Sequence, residues 1–181
     1  MWKPLRLILI VLAIPLAGVA YGQVMKRIGS GVPPAMATEA LRADAVRVFK
    51  SERRMELLRD DEVIRSYRIA LGRAPKGHKS FEGDQRTPEG HYLIDWRNPQ
   101  SVAHLSLHIS YPNAEDRARA EAEGRSPGGF IMIHGLPNGW GFLGPLHHLV
   151  DWTDGCIAVT NAEMREIWSL APDGTPIEIR A

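Results

Sequence analysis

Cysteine is almost missing from this chain: Cys156 stands alone among 181 residues. One thiol forms no internal disulfide, so the fold needs no oxidative staple, and CxxC or cysteine-rich zinc frameworks are excluded. No HExxH or similar metal motif occurs. The neighbours His147 and His148 and the pair His104 and His108 fall short of the three or four convergent ligands that zinc requires. They read as structural or cleft-lining histidines, and neither a metal nor a cofactor is expected. An excess of one charge is also lacking: 22 basic residues balance 21 acidic ones, for a net charge of +1. That removes the electrostatic case for nucleic acid as partner. Internal repeats and low-complexity tracts are absent as well.

A long apolar run occurs once, at the start. Behind the basic Met1–Arg6, residues Leu7 to Ala20 are apolar or small, with Pro15 inside. The run has signal-peptide dimensions and is short for a full span of ~20 residues. Gly18-Val-Ala20 and Ala20-Tyr-Gly22 offer small-x-small cleavage sites. Residues 1–22 are thus expected to be a signal peptide or an N-terminal membrane anchor, and the protein to be exported to the periplasm or cell envelope. Membrane contact is expected only through that segment. Residues 23–41, with Gly29, Gly31, Pro33 and Pro34 and few large apolar side chains, read as a linker. The domain is expected over 42–181.

Within it, strands dominate. Ala45–Phe49 alternates; Met55–Leu58, an acidic turn at Arg59–Glu62 and Val63–Ala70 follow as a hairpin. The stretch 72–90, rich in glycine and proline, is expected to be loop, and His91–Asp95 another strand. Ala103–Tyr111 alternates, with His104, Ser106, His108 and Ser110 on one face and Leu105, Leu107, Ile109 and Tyr111 on the other. Asn113–Glu123 reads as a surface helix capped by Asn113 and stopped by Gly124. Phe130–His134 and Cys156–Val159 read as buried strands. Thr160-Asn-Ala-Glu163 is a capping box that opens a helix to about Leu170, and Pro176–Arg180 closes the chain as a strand. The fold class expected is mainly β (β-rich α+β), a sheet or sandwich with small helical insertions.

His134 ends one apolar strand and Cys156 opens another. A thiol needs a base to become a nucleophile, and an imidazole supplies one. The bland alternative is a buried structural cysteine. Gly155 permits a tight turn ahead of the thiol, and the N–H groups of Gly155 and Cys156 are candidate oxyanion donors. Arg86 is a candidate carboxylate binder. Asp151 and Asp154 flank the turn and read first as turn carboxylates.

Three segments in order carry a resemblance: Gly83-Asp-Gln-Arg-Thr-Pro-Glu-Gly90 with His91-Tyr92, then Ile133-His-Gly135, then Thr153-Asp-Gly-Cys-Ile157. Over roughly Ala45–Arg180 the chain resembles the L,D-transpeptidase catalytic domain (YkuD) family, in a divergent YafK-like branch. The resemblance implies an L,D-transpeptidase-like β-sandwich and a cysteine acyltransferase acting on peptidoglycan stem peptides in cell-wall remodelling. Cys156 would be nucleophile and His134 base, with the Gly135 carbonyl orienting the imidazole. The thiolate would attack the carbonyl joining the L-centre of a diamino acid to D-alanine. An amine, such as one on a cell-wall-linked protein, or water would then resolve the thioester.

Arg86, Thr153, Asp154 and His108 are the expected substrate-binding set. Asp154 stands where the family has histidine, Ala158 where it has arginine, and the stretch from His134 to Cys156 is long for the family. Two alternatives therefore accompany transpeptidation: a peptidoglycan amidase or L,D-peptidase of the same fold, or a catalytically weak cell-wall-binding module.

Overall fold

Pairing between the first strand and the last organises the domain. A computed structural model describes the backbone of residues 3–181 and the side chains of residues 16–181. Eight strands form one curled sheet: β1 (Ala45–Phe49), β2 (Arg54–Arg59), β3 (Glu62–Arg68), β4 (Gly90–Asn98), β5 (Ser106–Ile109), β6 (Met132–His134), β7 (Ile157–Ala158) and β8 (Pro176–Arg180). Their order across the sheet is β3-β2-β1-β8-β4-β5-β6-β7. β1–β8 and β6–β7 pair in parallel, and every other neighbouring pair is antiparallel.

The two ends of this order meet. The Ala70 N–H donates to the Ala158 carbonyl at 2.9 Å, and the Ala158 N–H returns the bond at 2.8 Å. A second bridge joins Gly72 to Thr153. The expected sandwich is therefore a single mixed sheet curled until its margins touch, with small helical additions. Closure satisfies backbone groups that an open margin would leave bare.

Inside the curl lie Val46, Val48, Leu57, Ile69, Leu107, Ile133, Ile157 and Ile177, all buried. Helix α3 (Asn161–Leu170) fills the remaining space with Met164, Ile167, Trp168 and Leu170. Those positions recur at helical spacing, and each such side chain contributes roughly 1.5–3 kcal/mol when removed from water. Its start is set by the Thr160–Glu163 capping box, in which each side chain bonds the other's backbone N–H. Helix α2 (Ala114–Ala122) is capped the same way by Asn113 and Asp116.

Several boundaries differ from the sequence reading: the strand expected over Cys156–Val159 holds only Ile157–Ala158, and the one expected over Val63–Ala70 ends at Arg68. The strand expected over Ala103–Tyr111 shrinks to Ser106–Ile109, because His104 adopts φ +65° and leaves the pleat. Phe130 also takes a left-handed φ, +55°, and is exposed, so the strand expected from Phe130 begins at Met132. β4 runs past Asp95 to Asn98 through a β-bulge between Ile94 and Trp96. The expected linker is partly helical: helix α1 spans Lys3–Ile28.

The strip after α1 is docked rather than loose. The Gly31 N–H bonds the His104 carbonyl at 2.7 Å, and the Ala37 N–H bonds that of Ser169 at 2.9 Å. The expected export segment, 1–22, has its side chains up to Pro15 outside the described residues. Among the described residues no helix is long and apolar enough to cross a membrane.

Candidate active site

β6 and β7 set the centre. Their parallel register pairs Ile133 with Ile157 and His134 with Ala158. Cys156 stands one residue ahead of β7 beside Met132, and its thiol bonds the Phe130 carbonyl, while His134 lies two residues further along β6. The odd positions Ile133 and Ile157 face the core. The candidate nucleophile and base thus sit on adjacent parallel strands, Cys156 just ahead of the start of β7 and His134 at the end of β6.

The imidazole is fixed by a backbone oxygen. His134 Nδ1 lies 2.6 Å from the Gly135 carbonyl, which can only accept. Nδ1 therefore carries the proton and Nε2 presents its lone pair. Burial lowers the His134 pKa, opposed by the bond to Gly135, so the ring is neutral at pH 7. Trp152 meets the ring edge-on, with centroids 5.6 Å apart.

Gly135 must be glycine: a Cβ there would stand 2.7 Å from Asn161 Oδ1 and 2.8 Å from the His104 Cβ. Asn161 also accepts from the Leu136 N–H at 2.8 Å. The helix start behind the site thus holds the segment that holds the histidine. Asn161 is a positioning residue that the sequence reading missed; its place at the first position of the capped helix is the signal that marks it.

Cys156 is half-buried and follows a turn built by Thr153. The Thr153 hydroxyl donates to the Cys156 carbonyl at 2.8 Å and accepts the Gly155 N–H at 3.1 Å. Thr153 is buried and committed to this turn, so the substrate-contacting role expected of it gives way to a structural one. The Gly155 amide, committed to Thr153, is likewise withdrawn from the expected oxyanion pair, leaving Cys156 N–H as the candidate. Gly155 itself holds φ +126°, and a Cβ would meet the Arg86 carbonyl at 2.7 Å. Burial raises the Cys156 pKa, reinforced by the Asp154 charge and opposed by the Met132 N–H and Lys79. The thiol's hydrogen bond runs to the Phe130 carbonyl at 3.6 Å.

The other expected residues are dispersed. Arg86 contributes its carbonyl to the crowding at Gly155, while its guanidinium turns toward His78. Asp154 is exposed and paired with Arg73, which directs its carboxylate to solvent. Ala158 is fully buried at the sheet closure, with no room for the arginine expected there from the resemblance. His108 Nδ1 is 2.6 Å from Asp95 Oδ1, and the ring stacks on Trp96 at 4.8 Å.

The long stretch before Cys156 is not plain loop. Residues Gly141–Leu149 form 3-10 turns kinked at Gly144. They wall an apolar cavity of about 350 Å³ with Leu136, Trp140, Leu146, His147, Val150 and Trp152 on its surface. Burial, with the charges of His148 and His134, lowers the His147 pKa to about 4, so this ring too is neutral. Its Nδ1 is 3.4 Å from the Trp152 indole nitrogen, which donates.

Comparison with known proteins identifies the family. Residues 43–179 match the model of the L,D-transpeptidase catalytic domain, YkuD. YafK of Escherichia coli (strain K12), whose L,D-transpeptidase name is itself provisional, is 31% identical over 131 residues, covering 68% of this chain and 45% of YafK. Among solved structures, the helical cell shape determining protein Pgp2 of Campylobacter jejuni superposes with a TM-score of 0.60 at 21% identity, over 88% of this chain and 55% of Pgp2. Bd1075 of Bdellovibrio bacteriovorus gives 0.53 at 23%, over 84% and 53%. The chain therefore spans about half the length of these relatives, and the structural matches speak for the fold. The chain belongs to the L,D-transpeptidase catalytic domain (YkuD) family.

Proposed function

We propose that the protein is an exported cysteine acyltransferase acting on peptidoglycan stem peptides in the cell envelope. The observation that carries this reading is His134 Nδ1 held by the Gly135 carbonyl, which leaves Nε2 as the basic nitrogen, on the strand adjacent to the one that Cys156 precedes. As substrate approaches, Nε2 takes the thiol proton and Sγ attacks the carbonyl of the L-centred diamino acid. The imidazolium then returns its proton to the departing D-alanine amine, leaving a thioester on Cys156. An incoming amine regenerates the thiol and forms a cross-link. The Cys156 N–H is the donor available to the developing oxyanion.

A second reading, hydrolysis of the same thioester, is favoured by the exposed Asp154 carboxylate in place of the family's histidine and by the buried Ala158 in place of its arginine. Without those two side chains the grip on an acceptor stem is weaker, and water competes. The N-terminal apolar run supports delivery to the envelope.

The test is incubation of a disaccharide-tetrapeptide with wild type and with Cys156→Ala, with and without a D-amino acid as acceptor, reading products and protein by mass. Wild type is expected to release D-alanine and carry a transient acyl adduct on Cys156, while the variant does neither. Release of D-alanine by Cys156→Ala would exclude thiol catalysis. Exchange product against tripeptide reports the transferase and hydrolytic readings respectively.

A further inference from the structure

The sheet around the site carries more than the two candidate catalytic side chains. Register links Trp96 on β4 to His108 on β5, and His108 to Met132 on β6. One step before the Ile133–Ile157 pair, Cys156 stands beside Met132, whose backbone N–H reaches the thiol. Trp96, His108 and Met132 therefore form one row across three strands, and Cys156, just ahead of β7, adjoins Met132 at its end. At about 4.8 Å per strand, Trp96 lies ~14 Å from the thiol.

Trp96 reaches this row through a deliberate irregularity. Ile94 pairs with Ile109 and Trp96 with His108, so two steps on β4 match one on β5 and Asp95 is the extra residue. By strict alternation Trp96 would follow Tyr92 and Ile94 into the core. The bulge turns it to the outer face, the re-aiming that bulges commonly perform beside functional sites. Asp95 then bonds His108, whose ring stacks nearly parallel on the indole at an interplanar angle of 16°.

Phe130 completes the group. Its ring meets His108 edge-on at 6.3 Å, and it is 78% exposed with φ +55°. A bulky residue in left-handed backbone costs of order 1–3 kcal/mol, and nothing in the core repays it. Its carbonyl is the group that holds the thiol. A strained exposed aromatic, whose carbonyl accepts the thiol's hydrogen bond, contacts the same His108 ring that stacks on Trp96, which is 38% exposed.

We propose that Trp96, His108 and Phe130 form an aromatic ledge that binds a pyranose ring of the glycan strand, so that the protein recognises stem peptides through the sugar to which they are attached. This rests on the stem-peptide reading above. In a peptidoglycan stem the reacting diamino acid is the third residue from the amino sugar. Three extended residues span about 10 Å, and the lactyl link adds the remainder of the ~14 Å to Trp96. The flat C–H face of a pyranose packs on an indole or phenyl ring, and the rim acceptor Asp95 faces its hydroxyl and N-acetyl groups.

The test is calorimetric titration of the Cys156→Ala protein with a disaccharide-tetrapeptide and with the free tetrapeptide, which separates binding from turnover. The sugar-bearing ligand is expected to bind at least tenfold more tightly. Trp96→Ala should remove that difference while leaving free-tetrapeptide binding unchanged, Phe130→Ala should remove part of it, and Trp96→Tyr should retain most. Equal or undetectable binding of the two ligands by the parent overturns the ledge. So does a loss in Trp96→Ala and Phe130→Ala that is the same for both ligands. Turnover by the Cys156-bearing protein is read separately: a preserved binding difference without D-alanine release would sink the acyltransferase reading and leave the ledge standing.

Discussion

At the scale of single residues, the proposed dyad of Cys156 and His134 rests as two neutral groups. Burial pushes the Cys156 thiol up and the His134 imidazole down, so the proton stays on sulfur until substrate arrives. Alkylation of Cys156 by iodoacetamide should therefore be slow at pH 7 and rise about tenfold per pH unit through pH 9, since only the thiolate reacts. A rate that is flat between pH 6 and 8 would show a preformed thiolate–imidazolium pair instead. Cys156, His134, Gly135 and Gly155 all stood out as candidates in the sequence, and the structure shows why the two glycines must be glycine. Asn161 was not, because its role depends on α3 docking behind Gly135. Thr153 was legible as part of the motif but not in its task, since a hydroxyl that builds a turn looks the same in sequence as one that meets substrate.

At the scale of elements, the segment 72–90 was read as loop and is loop, yet it is tied down by buried charge. Lys50 Nζ bonds the Gly77 and Thr87 carbonyls at 2.6 and 2.8 Å and Glu89 at 2.8 Å. Lys79 and Asp84, each with a side chain 3% exposed, pair at 2.9 Å. Asp84 also accepts from the N–H groups of Ser80, Phe81 and Arg86. Burial alone would raise its pKa, but Lys79 and these amides outweigh it and hold the carboxyl below the ordinary range.

Asp84→Asn strands a buried ammonium and should cost about 3–5 kcal/mol in urea unfolding at pH 7. Because the folded pKa is depressed, the stabilisation is present above the unfolded value near 3.9 and disappears as pH falls through the folded value. The gap between wild type and variant should therefore close in acid. A gap that persists unchanged at pH 3 would mean the side chain acts through packing. Loop composition predicts absence of regular structure, not absence of rigidity. Nor does alternation reveal the Asp95 bulge, whose extra residue hides inside an otherwise regular strand.

At the scale of the whole molecule, most strands and both capped helices were visible as periodicity and punctuation. The closure was not, because bridges between residues as distant as Ala70 and Ala158 leave no local pattern. Closure also changes what Ala158 means. Introducing the arginine that the resemblance leads one to expect there looks from sequence like a way to strengthen substrate binding. In this fold it forces a guanidinium into a site with 0% exposure. Ala158→Arg should lower unfolding free energy by at least ~3 kcal/mol and yield no additional cross-linked product. A stable variant with more cross-linking would show that the margin opens to let the side chain out.

The position of β8 has a bearing on timing. Pro176–Arg180 come last in sequence, yet lie mid-sheet between β1 and β4. Before they arrive, β1–β3 and β4–β7 are two half-sheets, each with a raw hydrogen-bonding edge. A chain delivered from its N-terminus, off a ribosome or through a translocation pore, cannot complete its core in transit. Until β8 has emerged, the raw edges are the surfaces that a holding chaperone would have to shield.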